Sequence, residues 1–265
     1  MPHAPGQRLE GRLTLRRLAA LFCLTALVPQ AALAQKAEQT YCASFDLPDS
    51  YQTDGFASPM TYTVSNTPNG KVLVAEGQIL PGEAQRLELA LRKAGPIEEV
   101  WFNSPGGAAM EGPYMGRVIR ARNLAVRLRS DHACISACSY AFLGGVVRTV
   151  EPGAYYGVHM FSGTGNPHQM LNLLNRFQTV NTKRAELIRK GNPQAQVDQA
   201  VAMFVAEELR TWEQESAKLA ATRARYLVEM SLSLDFMTDA FNTQSDKVCY
   251  LSQAGLTRYN VANAG

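Results

Sequence analysis

Along the middle of the chain, the spacing of hydrophobic positions switches repeatedly between the short period of strands and the longer period of helices. Lys71 to Glu76 (K-V-L-V-A-E) reads as a strand entered through Asn69-Gly70, a hairpin-type turn. Glu83 to Lys93 places Ala84, Leu87, Leu89 and Leu91 at near-helical spacing and stops at Ala94-Gly95-Pro96. Glu98 to Asn103 (E-E-V-W-F-N) is a second strand that runs straight into Ser104-Pro105-Gly106-Gly107. Met110 to Asn123 reads as a helix and Leu124 to Leu128 as a strand. Cys134 to Leu143, apolar and dense in small residues, reads as the start of a buried helix, and Val146 to Val150 and Ala154 to His159 as short strands. This alternation predicts an α/β fold with a mainly parallel sheet covered by helices.

The pattern changes toward both ends. Residues 35–70 are polar and turn-rich, with Pro48, Asp54-Gly55 and Pro59, and read as an N-terminal extension. From Pro167 to about Met230, long helical patterns carry charge and break at Gly191-Asn192-Pro193, which predicts two or three long helices in the C-terminal half. Cys249 to Asn260 closes the chain as a short strand or turn. One domain, 71–265, with a helical segment at about 167–230, is the organisation expected.

The first 34 residues read as an address. Arg8, Arg12, Arg16 and Arg17 precede an apolar run from Leu18 to Val28, and Ala32-Leu33-Ala34 is a small-x-small cleavage site. The apolar run is short for a bilayer span. Cleavage after Ala34 and export to the periplasm are expected, with no stable membrane insertion afterwards. The segment carries four Arg and one Glu, so it accounts for the formal charge of +3, and the mature chain is close to neutral. A near-neutral chain gives no argument for a nucleic-acid partner or an anionic membrane surface. Four mature cysteines, Cys42, Cys134, Cys138 and Cys249, then meet an oxidising compartment, where pairing is favoured. Three connectivities are open. Cys42 with Cys249 would tie the two ends of the fold, which leaves Cys134 with Cys138, four residues apart. The spacing lacks the paired C-x-x-C and nearby His of a zinc site, and no metal or other cofactor is expected.

Three segments carry candidate chemistry. Asn103-Ser104-Pro105-Gly106-Gly107 is a strand end followed by glycines, which can turn with positive φ and present unobstructed N–H groups, as in an oxyanion hole. Ser136, in Cys134-Ile135-Ser136-Ala137-Cys138, stands among small residues at a helix start, where the helix dipole favours a developing anion. His159 ends the strand Tyr155-Tyr156-Gly157-Val158 and could serve as general base if a serine lies within reach. His132 and His168 sit in loop-like stretches and read as surface residues.

In order and spacing, these three segments resemble the Clp peptidases of the Clp/crotonase superfamily. That family shows an N-S-P-G-G turn, identical to residues 103–107, then A-A-S-M-G-A-F-L-L-A-A-G, which aligns without a gap to residues 134–145. It continues with a strand ending M-I-H-Q-P, matched by Gly157-Val158-His159-Met160. The resemblance covers residues 71–161. It implies Clp/crotonase-like repeated units, Ser136 as nucleophile and His159 as base. It also implies an oxyanion hole from the Gly106-Gly107 turn, with Gly107 N–H as donor, and from Ala137 N–H. The family's acidic third member precedes an L-S-x-x-E-A motif; Tyr250-Leu251-Ser252-Gln253-Ala254 is a shortened version, which points to Asp246, with Asp239 and Asp235 behind it. Members build rings, so a homo-oligomer is implied, its subunit number unset. The chain departs from the family in its export, its flanking Cys134 and Cys138, and its lack of docking and handle sequences. The expected activity is an ATP-independent serine hydrolase acting on peptides or unfolded protein. Two alternatives are a non-catalytic Clp-like binding or assembly module and, less favoured, a crotonase-type acyl enzyme.

Overall fold

A computed structural model describes residues 41–47, 58–161 and 167–264, without the side chains of 167–170 and 173. The expected signal segment and cleavage site lie outside the described residues. Tyr41–Gly265 forms one compact unit.

Two sheets share a core. The first has the order β2-β3-β4-β5-β7, from Thr61–Thr67, Gly70–Glu76, Glu99–Asn103, Ala125–Leu128 and Arg148–Val150. The hairpin β2–β3 is antiparallel, closing at the pair Thr67↔Gly70, and Gly70 takes φ 120° there. β3, β4, β5 and β7 run parallel. The second sheet has the order β1-β9-β8-β6, from Cys42–Ser44, Cys249–Leu251, Tyr155–Val158 and Ala133–Ile135. β6 and β8 are parallel, and β9 runs antiparallel to both β8 and β1. The sheets meet where β4 ends. Ser104 pairs in parallel with Cys134, with Ser104 N–H donating to Ala133 O (2.7 Å) and Ile135 N–H donating to Ser104 O (3.0 Å).

Helix α1 (Glu83–Ala94) buries Ala84, Leu87 and Leu91 on one stripe and stops at Gly95. Its first N–H groups have an unusual partner: the Glu111 carboxylate accepts from Gly82 N–H and Ala84 N–H. Glu111 opens α2 (Glu111–Ala121), which packs between α1 and the short α3 (Ala137–Phe142). The long helices are two, α4 (Pro167–Arg189) and α5 (Gln194–Glu229). At about 1.5 Å per residue α5 is about 54 Å long, and nearly all its buried side chains, Arg223, Tyr226 and Leu227, lie in its last two turns. α6 (Asp235–Asn242) and α7 (Gln253–Arg258) close the chain, α7 capped by Ser252 Oγ, which accepts from Gly255 N–H. Among the described residues no helix is long and apolar enough to cross a membrane.

The stretch 35–70 differs from the expected extension: it supplies strands to both sheets. β2 is rich in Thr, Asn and Ser because it is an edge strand whose side chains are mostly exposed, so no apolar run marks it. Cys134 likewise belongs to strand β6, and the helix begins only at Ala137. The end of the chain holds a helix as well as a strand.

Candidate active site

Ser136 occupies the single residue between β6 and α3. Its backbone takes φ 59°, ψ −118°, the first central position of a type II′ turn, which glycine normally fills. A side chain held there costs of order 1–3 kcal/mol and persists only when the surroundings enforce it. Ser136 N–H donates to Gly157 O (3.0 Å), and Ser139 Oγ donates to that same oxygen, so β8 pins the turn from one side. Gly106 closes it from the other: a Cβ there would lie 2.4 Å from Ile135 O and 2.8 Å from Ser136 Cβ. This is the geometry of a nucleophile elbow, a sharp strand-to-helix turn that exposes a serine hydroxyl. Such turns require small residues two before and two after the serine. Here those positions are Cys134 and Cys138, whose side chains are joined in a disulfide and are fully buried. Ser136 is half-buried, and its Oγ has no hydrogen-bond partner among the described residues.

The glycine turn carries the expected donors in part. Ile79 N–H donates to Gly106 O (2.8 Å) and Ala108 N–H donates to Ile79 O (2.9 Å). In this parallel register the N–H of Gly107 turns away from Ile79, and Gly107 is exposed. Ala137 N–H is the first of α3, and neither N–H has an acceptor among the described residues. Gly106 is different. Its N–H is taken by Ser104 Oγ (3.1 Å), so it supplies space to the elbow and not an oxyanion donor.

His159 follows β8 directly. The register Ile135↔Gly157 sets Ser136 and His159 at neighbouring ends of parallel strands. In an unbroken ladder Ser136 would share a face with Val158, and the positive φ at Ser136 breaks that alternation. The two side chains are not hydrogen-bonded to each other. His159 Nδ1 lies 2.7 Å from Met160 O. A carbonyl only accepts, so Nδ1 carries the proton and Nε2 presents its lone pair, the tautomer a general base needs. Burial, and secondarily the nearby Arg223 cation, hold the His159 pKa below its ordinary value, while the Met160 bond works the other way. The ring is therefore neutral at pH 7.

No carboxylate joins His159 among the described residues. Asp246 is exposed in the loop before β9 and has no bond to it. Asp239 accepts from Tyr259 Oη, and Asp235 faces Arg258 Nη2 at 3.5 Å. His132 Nδ1 is bound to Ser130 O and stands apart, and His168 lies in α4. Sequence reasoning missed Arg223. It is 4% exposed, its guanidinium lies 3.9 Å from the Tyr140 ring centroid, and Nη2 donates to Ala109 O (3.1 Å). Nothing in a charged helical stretch distinguishes it from solvated neighbours. The second disulfide, Cys42–Cys249, ties β1 to β9. Among the described residues no cluster of His, Cys, Asp and Glu could hold a metal.

No family model and no curated protein matches the sequence. Solved structures of similar arrangement include a ClpP1 point mutant from Listeria monocytogenes, 18% identical, with a TM-score of 0.31 over 48% of this chain and 77% of that one. A putative enoyl-CoA hydratase from Rhodopseudomonas palustris is 14% identical, with a TM-score of 0.29 over 64% of this chain and 98% of that one. A membrane-bound stomatin-specific protease is 15% identical, with a TM-score of 0.26 over 48% and 66%. Proteases and hydratases thus stand side by side at low similarity.

Proposed function

We propose that the mature chain is an exported, ATP-independent serine hydrolase that cleaves peptides or unfolded protein segments through an acyl-enzyme. The strained backbone of Ser136 carries the reading. A left-handed serine with an unused hydroxyl, enforced by a disulfide, a glycine and a neighbouring strand, has no structural purpose that glycine would not serve better.

In the first step Ser136 Oγ bonds to the scissile carbonyl carbon and its proton passes to His159 Nε2. The carbonyl oxygen becomes an oxyanion facing Gly107 N–H and Ala137 N–H. Collapse breaks the C–N bond, and His159 returns the proton to the leaving amine. Water then repeats the sequence on the ester, with His159 again as base, and releases the carboxylic acid. Met160 O takes the orienting place that a carboxylate fills in a triad, which makes the pair a dyad. No third acid is required of Asp246.

A fluorophosphonate probe followed by mass-spectrometric mapping tests this. Covalent label on Ser136, lost in Ser136→Ala and His159→Ala, is the expected result. Label elsewhere, or none, rejects it. A non-catalytic binding module is the second reading, favoured by the missing Ser136–His159 hydrogen bond. It requires that a Ser136→Ala/His159→Ala protein keep full function in the cell.

A further inference from the structure

A groove of about 520 Å³ runs between α4 and α5, in the size range of ligand clefts. Its walls include Met110, Phe161, Arg176, Trp212, Lys218 and Leu219. Along α5 it extends from Thr211 to Thr222, about 16 Å at the helical rise, which matches about five residues of extended peptide. Two of its wall residues come from segments that leave the candidate catalytic turns. Met110 follows the Gly106-Gly107 turn, and Phe161 lies two residues beyond His159. Arg223, one helical turn beyond Leu219, joins these parts: it donates to Ala109 O, and its guanidinium lies 5.8 Å from the Phe161 ring.

The charges on the walls are already matched. Lys218 Nζ pairs with Glu215 at 2.9 Å, and Arg176 pairs with Glu208. What remains unmatched is apolar: Trp212 is 45% exposed in the groove, Leu219 and Phe161 line it as well, and Val205 and Leu209 are exposed earlier on the same helix. Large exposed aromatic surface in a cleft marks a binding position.

We infer that this groove is the substrate cleft for an extended peptide of about five residues with apolar side chains, which lies along α5 and delivers its scissile bond to Ser136. Delivery to Ser136 rests on the hydrolase reading; occupancy of the groove is tested without it. The full-length mature protein carrying Ser136→Ala is titrated with Leu- and Phe-rich peptides of two to eight residues. Each bears a photo-reactive benzophenone at one end or the other. Affinity is expected to rise with each residue up to about five, roughly 100-fold in all, and then level off. Cross-links should fall within residues 211–222. Trp212→Ala, at a part-exposed position in the groove, should weaken the pentapeptide about 10-fold and spare the dipeptide.

Cross-links on the exposed strand β2, or affinity independent of length, would overturn the inference. So would a self-associated chain whose Trp212 fluorescence depends on protein concentration and not on peptide, since a second copy would then fill the groove. The Ser136→Ala protein has no nucleophile. A negative result here therefore leaves the hydrolase reading untouched, and failure of the fluorophosphonate probe leaves the cross-linking result untouched.

Discussion

Replacing Ser136 by glycine should abolish activity and yet leave the protein more stable than replacing it by alanine. At ordinary positions the order is the reverse, because glycine loses more freedom on folding, about 0.5–1 kcal/mol relative to alanine. Position 136 is not ordinary. At φ 59°, ψ −118° any Cβ opposes the backbone, a penalty of about 1–2 kcal/mol that alanine keeps and glycine removes. Removing the Cβ also relieves the approach of Gly106, while the hydroxyl, unbonded in the described structure, leaves no partner stranded. The balance is about 1 kcal/mol in favour of Ser136→Gly over Ser136→Ala. For a chain of this size that is a Tm difference of about 2–4 °C. Thermal unfolding of the two variants by circular dichroism, at matched concentration and with disulfides intact, measures it. If Ser136→Gly melts at or below Ser136→Ala, the elbow is not strained, and the argument from strain to nucleophile fails with it.

Four further outcomes follow from the same geometry. The labelling rate of Ser136 should be full at neutral pH and fall as pH drops through the His159 pKa, with a midpoint below the ordinary histidine value of about 6.5. Arg223→Met removes the cation but not the burial, so it should raise that midpoint without carrying it above 6.5, which a pH profile of probe labelling reads directly. Gly106→Ala sets a Cβ at φ 89° against Ile135 O and Ala137 N, backbone atoms that cannot swing aside, and should cost about 2–4 kcal/mol by urea unfolding and eliminate labelling. In the chain-entropy view the disulfide spanning 207 residues is worth about 5 kcal/mol and the one spanning four about 2. Removing Cys42–Cys249 should therefore lower Tm far more, whereas removing Cys134–Cys138 should lower the labelling rate more than its smaller Tm shift explains.

Most of the sheet and the helices around it were legible because their apolar spacing is imposed by burial. Val72, Leu73, Val100, Phe102, Val126 and Leu128 are all nearly inaccessible, and a strand buried this way can only be written in apolar residues. β2 was not legible for the complementary reason: an exposed edge strand is held by backbone pairing to β3, which leaves no hydrophobic signature. The strand-to-helix switch at Ser136 was hidden too. Residues 133–139, Ala-Cys-Ile-Ser-Ala-Cys-Ser, are all small or apolar, and what divides them is one backbone torsion. Motif identity pointed to Gly107, Ala137 and His159, but the Gly106 bond to Ser104 Oγ depends on a fold-back that spacing does not encode. Arg223 lies more than sixty residues from His159 in sequence, and only the docking of α5 brings its charge to bear.

The orienting group is where sequence and structure part most instructively. A search for the third member of a triad looks for carboxylates, and the downstream segment offers Asp235, Asp239 and Asp246. Two of these are engaged by Arg258 and Tyr259, and the third is exposed to water. The requirement, however, is only that something accept the Nδ1 proton so that Nε2 is left basic. A main-chain carbonyl does this, and every residue has one, so no sequence pattern can announce it. The exchange has a chemical consequence. In the proposed mechanism a carboxylate would stabilise the imidazolium formed on deprotonating Ser136; Met160 O would supply a dipole only, and Arg223 would oppose the charge. As a base in that mechanism, His159 would be weaker, neutral over a wider pH range, and slower to take the serine proton. An elbow that fixes the backbone of Ser136 would offset part of that loss, because the main chain need not reorganise before attack. Under the proposed mechanism the Cys134–Cys138 bridge would compensate for the missing acid, with rigidity at Ser136 standing in for charge at His159.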